Sequence, residues 1–462
     1  MRSPDKSGPA RNFSDARGLC MRGCPKVAMI RPGHPYPDKA HRRSCMIGPV
    51  NRIAEWLVPS AFLALSLMPS IALADTVTNT DAPQNGRVDA GLDELFQLGG
   101  FSEADEEFFG VVANAILAEN GDSYFLDEQL CEVRVFDASG EYQRTFGREG
   151  EGPGEFRMAR DLLLLPNGSV GVIYGQQTRL ASYGLDGTIG PDISLTPEGT
   201  RFAFMMGAQS RGGQMVLQQH SSTIKDNEMT STMSMLGMDS EGNVTHTYSE
   251  TSNTSKMNGP NISISISSDD MANAWVLLED GSLAINESGD EYRIDILDSE
   301  GELLRTITRE YEPLARSKDE INRIKAERRE RAERDGGRID DEPIDEFYDV
   351  ILDLHVGPDG QLWVMTGRGR FGEGVAENTL GTFDVFDADG RFERQVSIDV
   401  PYMGGSDEFE FLGDRLYVYE ESRDARTSMY AGHGMEIVTD QETDGEIDPL
   451  TIWCWRITLP AS

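Results

Sequence analysis

Residues 146–156 read FGREGEGPGEF, with four glycines and one proline in eleven residues. Glycine tolerates positive φ and proline presets φ, so this stretch is a turn and not the interior of a helix or strand. Before it stands an alternating run closed by its own turn, VRVFDASGEYQRTF (133–146). After it stands a short apolar run closed by another turn, DLLLLPNGSV (161–170). The glycine turn therefore joins two small β units, and the number of such units decides the fold.

One pattern returns along the chain: an apolar strand, a Gly turn, a second strand, a loop, a third strand ending in Asp-x-x-Gly or a variant, and a fourth strand. The first unit runs from Ala115 through SYFLD, VRVFDASG and EYQRTFG. The second holds DLLLLPNG, SVGVIYG, RLASYGLDG and TIGPDISL. The third is looser, with QSRGGQMVLQQH, a strand near 232–238 and NVTHTYS. The fourth holds WVLLEDG, SLAIN, YRIDILDSEG and ELLRTIT, and the fifth DLHVGPDG, QLWVMTG, FDVFDADG and RFERQVSI. The sixth has FEFLGD, RLYVYE and IWCWRITL but no fourth strand. LFQLGGF (95–101) stands unused before the first unit and can supply it. The expected fold is an all-β, six-bladed β-propeller with four-stranded blades, its last blade closed by an N-terminal strand. Such closure leaves only short, protected sheet edges.

FGREGEGPGEF followed by DLLLLPNGSVGVI resembles the NHL-repeat and bacterial six-bladed β-propeller families, which carry a G-x-G-P-G-x-F turn between blades. The VFDASG and VFDADG turns fit the same blade pattern, and the resemblance covers roughly residues 92–460. It implies the fold. It leaves the function open, since such propellers include scaffolds, binding proteins and a few enzymes.

Composition agrees with a turn-rich β protein: 462 residues, 48 of them glycine, with 26% charged. The net charge of −37 argues against nucleic acid and against anionic lipid, both of which need a basic surface. It permits divalent cations and basic partners.

Residues 1–45 are basic, rich in Pro and Arg and without periodicity, and read as an extension outside the fold. Their Cys20, Cys24 and Cys45 lack the second ligand pair of a zinc site. Residues 46–74 form a signal-peptide pattern: Met46, the cation Arg52, an apolar run from Leu57 to Leu73 broken by Pro69, and the small-x-small site Ala72-Leu73-Ala74. Cleavage after Ala74 would place the mature chain outside the cytoplasm, secreted or periplasmic, with no membrane span. Only Cys131 and Cys454 would remain, and their pairing is open. Residues 75–91 read as a linker, and 92–462 as the propeller.

Residues 312–349 interrupt the pattern between the fourth and fifth units. Within them RSKDEINRIKAERRERAER (316–334) lacks Gly and Pro and has a thin apolar stripe of Ile321, Ile324 and Ala326, so one exposed helix is expected. It would be a docking arm, a lid or a solvated excursion.

Motifs of chemistry are few. Gly367 to Gly372 spells G-x-G-x-x-G, but a strand pattern follows where a dinucleotide site needs a helix, so a glycine-rich turn is expected and no organic cofactor. Asp440, Glu442, Asp444, Glu446 and Asp448 alternate around Gly445 like a calcium loop, with Thr451 where a bidentate Glu would stand. This is the one candidate metal site, and Ca2+ the one candidate cofactor. No G-x-S-x-G elbow and no His/Cys zinc spacing occurs. Candidates for a ligand-binding face are Asp161, Asp353, His355 and Arg160, near the starts of innermost strands, with Asp349 beside them. Arg148 and Arg157 flank the glycine turn and would either hold a carboxylate or pair with Glu149, Glu151 and Glu155. The expectation is an exported, monomeric binding module that holds a protein, peptide or glycan partner on one face. A metal-dependent, lactonase-like hydrolase or lyase, its metal bound by Asp, Glu, Asn or His side chains converging on the central channel, is the enzyme alternative. A cell-envelope scaffold docking through the insert is a third reading.

Overall fold

The computed structural model describes residues 75–460 apart from 102–107, 176, 197–199, 201, 227, 257–273, 335–343, 377 and 433–449. The extension, the signal-peptide pattern and the calcium-like loop 440–448 lie outside the described residues. The N-terminal segment carries β1 (Asp75–Asn79), β2 (Arg87–Asp89) and β3 (Gly91–Gly99). Blade 1 follows with β4 (Val112–Leu117), β5 (Ser123–Asp127), β6 (Glu132–Phe136) and β7 (Tyr142–Phe146). Blade 2 is β8 (Ala159–Leu164), β9 (Val170–Tyr174), β10 (Arg179–Tyr183) and β11 (Ile189–Ser194). Blade 3 is longer: β12 (Phe202–Arg211), β13 (Gln214–Lys225), β14 (Glu228–Met238) and β15 (Val244–Lys256). Blade 4 is β16 (Ala274–Leu277), β17 (Leu283–Asn286), β18 (Arg293–Leu297) and β19 (Leu303–Arg309). Helix α1 (Lys318–Arg334) precedes blade 5, which is β20 (Ile351–Val356), β21 (Leu362–Thr366), β22 (Thr379–Phe386) and β23 (Phe392–Pro401), with α2 (Gly367–Phe371) inside it. Blade 6 is β24 (Glu408–Leu412), β25 (Arg415–Glu420) and β26 (Thr451–Thr458), with α3 (Ser422–Gly432) after β25. The sheet order β24-β25-β26-β3 shows that the N-terminal strand completes the last blade. The chain is a six-bladed β-propeller with four-stranded blades, as the resemblance implied.

The second strands of the blades are largely buried on both faces. Every residue of SYFLD (β5), LWVMT (β21) and LAIN (β17) is buried. A blade's sheet is covered on each side by a neighbouring blade, so these strands do not alternate. The outermost strands do face solvent, as in the exposed β11.

The Asp-x-x-Gly signature is an Asx turn used repeatedly. Asp137 Oδ1 accepts from the amides of Ser139 (2.9 Å) and Glu141 (3.1 Å). Asp239, Asp298 and Asp387 accept in the same i+2 and i+4 pattern. A short side-chain acceptor that mimics a backbone turn explains why Asp opens each of them.

In the opening turn, Phe156 is fully buried and Gly147, at φ 81°, lies against its ring. Glu155 accepts from the amides of Gly152 (2.8 Å) and Glu151 (3.1 Å) and pairs with Arg148. Those amides and that cation hold its carboxyl below the usual range.

Residues 75–91 are not a free linker. β1 pairs in parallel with β19, the outer strand of blade 4, and β2 pairs in parallel with β23, the outer strand of blade 5. The segment thus straps blades 4, 5 and 6 in succession before β3 closes the ring. Asn79 bridges two of them: its amide donates to Thr308 O (3.1 Å) and Gly390 O (3.0 Å) and its oxygen accepts from Phe392 N (2.8 Å). Short polar strands such as DTVTN and RVD pair through their backbones, so no hydrophobic alternation announced them.

The single expected helix is present as α1, but two further helices occur among the described residues. Gly367–Phe371, expected as a turn, is one helical turn capped by Thr366, whose side chain accepts from Gly369 N (2.9 Å). α3 was not anticipated. Cys131 and Cys454 are both buried and unbonded to each other, one in blade 1 and one in blade 6.

Candidate functional site at the channel mouth

The two faces of the ring differ. At one end lie the turns that link first to second and third to fourth strands of each blade. These are tight, as at 118–122, 165–169, 184–188 and 298–302. At the other end lie the connections into each innermost strand and those joining the two middle strands. They include the glycine turn, the insert with α1, α2 and α3. Long connections placed by a rigid scaffold are where binding groups accumulate.

The first turn of α1 is bolted to this face. Arg316 pairs with Glu320 (3.0 Å) and stacks over Tyr348 (4.1 Å), and Tyr348 donates to Glu320. Tyr348 in turn stacks on Phe371 of α2 at 4.4 Å. Ile321 and Ile324 are half-buried. On the far side α3 is held by Arg426, which donates to Glu128 (3.0 Å), Glu408 (2.6 Å) and Val112 O (3.0 Å).

Innermost strands present an unpaired backbone edge to the axis, and side chains of neighbouring blades satisfy part of it. Asn114 of blade 1 accepts from Leu162 N (2.9 Å) and donates to Leu162 O (3.0 Å) in blade 2. Asp161 of blade 2 accepts from Ala208 N (3.2 Å) in blade 3. Gln209 of blade 3 accepts from Leu277 N (2.8 Å) in blade 4. Glu410 of blade 6 accepts from Ala115 N (3.1 Å) in blade 1. Each polar side chain thus reaches the next blade, which sets both the spacing of the blades and the lining of the channel.

This lining opens into a cavity of about 440 Å³ to which blades 1 to 5 contribute. Asn114, Gln209 and Gln218 supply amides, Arg160 a guanidinium, and Asp161 and Asp353 carboxyls. Trp275 forms an aromatic wall, its Nε1 donating to Gln218 Oε1 (3.3 Å). Burial pushes the Asp161 carboxyl up to about 7, against the donors Leu162 N, Ala208 N and Asn114 that favour its charged form. Burial pushes Glu410 up to about 8, and the charge of Asp161 adds to it. Near neutral pH these carboxyls are partly protonated, so the channel wall can donate as well as accept hydrogen bonds.

Of the residues expected from sequence, Arg160, Asp161 and Asp353 are gathered in this cavity. His355 is not. It packs between blades 5 and 6 against Phe383, Phe409 and Phe411, at centroid distances of 5.8, 4.9 and 5.5 Å. Its Nε2 is 3.4 Å from Asp353 Oδ2, and burial lowers its pKa. Asp349 lies against Gly289, outside the cavity lining. Arg148 pairs with Glu155, and Arg157 with Glu149 and Glu151 at 3.4 Å each. Sequence reading passed over Asn114, Gln209, Gln218, Trp275 and Glu410. Their only signal was a polar or aromatic residue within an innermost strand, or for Gln218 on the strand behind it. Among the described residues no three His, Cys, Asp or Glu side chains form a group that could hold a metal. No helix among the described residues is long and apolar enough to cross a membrane.

The profile of the DUF5128 family, described as a 6-bladed beta-propeller, matches residues 104–276. No curated protein matches the sequence. Among solved structures, the chain is similar to a Bacteroides fragilis NCTC 9343 protein described as exported, at 13% identity and TM-score 0.40, covering 83% of this chain and 100% of that one. It is similar to virginiamycin B lyase of Staphylococcus aureus at 11% identity and TM-score 0.36, covering 80% and 99%. It is similar to a Xanthomonas campestris gluconolactonase at 11% identity and TM-score 0.38, covering 80% and 90%.

Proposed function

We propose that this protein is an exported, monomeric binding module that holds the end of a glycan chain at the channel mouth. The observation that carries this reading is the cavity of about 440 Å³, in which three amides, two carboxyls and a guanidinium face one indole. Sugars offer hydroxyls that both donate and accept, and C–H faces that stack on aromatic rings. A wall of amides with the part-protonated carboxyl of Asp161 matches the first property, and Trp275 the second. The rigid ring keeps the ordering cost of binding low. A peptide terminus, with its full charge, would find Arg160 and Asp353 but would leave the amide groups less well used.

Calorimetric titration with a series of neutral oligosaccharides of differing linkage tests the reading. At least one should bind, and Trp275→Ala should weaken it by about tenfold or more. Failure of the whole series at millimolar concentration, or unchanged binding by the Trp275→Ala protein, would sink it.

A further inference from the structure

A second, larger cleft of about 650 Å³ lies between the N-terminal strap, the outer part of blades 4 and 5, and the start of the insert. It shares no lining residue with the channel mouth. Three guanidiniums meet in it, Arg87, Arg309 and Arg368, although the chain as a whole carries a net charge of −37.

Their surroundings differ. Arg309 is buried, pairs with the buried Asp384, and donates through Nη2 to the main-chain oxygen of Asp81 (2.7 Å). Asp384 is held from its other sides by Tyr292 OH (2.9 Å) and Gln395 Nε2 (2.8 Å). This network fixes Arg309 as the floor of the cleft. Arg368 stands above it, stacked over Tyr311 at 4.8 Å, with one nitrogen 3.1 Å from the Asp81 carboxylate. Arg87 is exposed, its Nε donating to Ser397 Oγ. Arg368 and Arg87 keep further N–H donors directed to solvent or cleft. Asp81 shows what fits between Arg309 and Arg368: a carboxylate, here one brought by the strap itself. The cleft also holds Glu312 and Glu373, both exposed and without an ion pair among the described residues.

Acids and guanidiniums balance, so a simple anion would meet repulsion from the two glutamates, while a simple cation would meet the arginines. A ligand with both charges meets neither. We propose that this cleft binds a small zwitterion of the dipeptide class. Its carboxylate takes the face of Arg368 and Arg87, and its ammonium takes Glu312 or Glu373. The volume lies in the range of small-molecule sites, and the exposed ring of Phe347 in the lining offers a place for an apolar side chain. This binding is independent of the glycan reading.

The test is titration of the full chain with alanyl-phenylalanine, its N-acetyl form and its C-terminal amide. The free dipeptide should bind, and either blocked form should bind about tenfold more weakly or worse, since each loses a charge-assisted contact. Arg368→Gln should weaken the free dipeptide to a similar degree. Asp81→Asn removes the competing internal carboxylate and should strengthen it by several fold. Circular dichroism and thermal melting confirm that the variants are folded. Absence of dipeptide binding at millimolar concentration, or equal binding of the free and N-acetylated forms, would overturn the proposal. So would Asp81→Asn binding more weakly than the parent.

Discussion

Replacing Glu410 by glutamine isolates the energetic consequence of a carboxyl held in the channel wall. Glu410 Oε2 accepts from Ala115 N (3.1 Å) and Tyr419 OH (3.0 Å), and the amide oxygen of glutamine can accept both. The substitution therefore keeps the contacts between blades 6 and 1 and removes only the titration. The folded-state pKa is raised from 4.5 to about 8, first by burial and then by neighbouring carboxylates. A raised carboxyl favours the folded state while protonated. Its contribution is full below about pH 4.5 and is lost as pH rises through about 8. At about 1.36 kcal/mol per pH unit the upper bound of that loss is about 5 kcal/mol, and contact with channel water reduces the expectation to about 2–4 kcal/mol. Glu410→Gln should match the parent near pH 4.5 and exceed it by this amount near pH 8.5. Urea unfolding midpoints of both proteins at the two pH values give the comparison. Self-repulsion of the other carboxylates affects both proteins alike and cancels in the difference. A gap between parent and variant that is the same at both pH values would refute the assignment of this linkage to Glu410.

Three further substitutions probe the frame. Gly147→Ala places a Cβ 2.6 Å from the Phe156 ring at φ 81°, where the buried ring has no room to retreat; a loss of about 2–4 kcal/mol in urea unfolding is expected. Asn79→Ala leaves Phe392 N, Thr308 O and Gly390 O without their side-chain partner, so about 2–4 kcal/mol should be lost, and amide exchange should quicken first in β1. Arg309→Met leaves Asp384 buried with only Tyr292 and Gln395 beside it. A cost of about 3–5 kcal/mol is expected at neutral pH, easing as pH falls and Asp384 protonates. Thermal melts at pH 5 and 8 check the last point.

What could be read from residue order alone was whatever repeats. The strand–turn–strand units, the Asp-x-x-Gly turns and the orphan strand near residue 95 each leave a local pattern, because hydrophobic period and turn chemistry act over a few residues. These were enough to count six blades and to name the strand that closes the ring. Helix α1 was legible for the same reason, as a run without Gly or Pro. The strap formed by β1 and β2 was not, because parallel pairing through backbone groups demands nothing of the side chains. The channel lining was read only in part. Asp161 and Asp353 stood out as carboxylates near strand starts, whereas Asn114, Gln218, Trp275 and Glu410 have no distinguishing neighbours in the chain. His355 and Asp353 are two residues apart, yet one packs among phenylalanines and the other faces the cavity. Which side chains meet across the axis, and how Arg87, Arg309 and Arg368 come to share a cleft with Asp81, depends on closing a ring over more than three hundred residues. Only the tertiary structure decides this, because the groups that set each other's charge and hydrogen bonding are distant in sequence and become neighbours only when the blades pack.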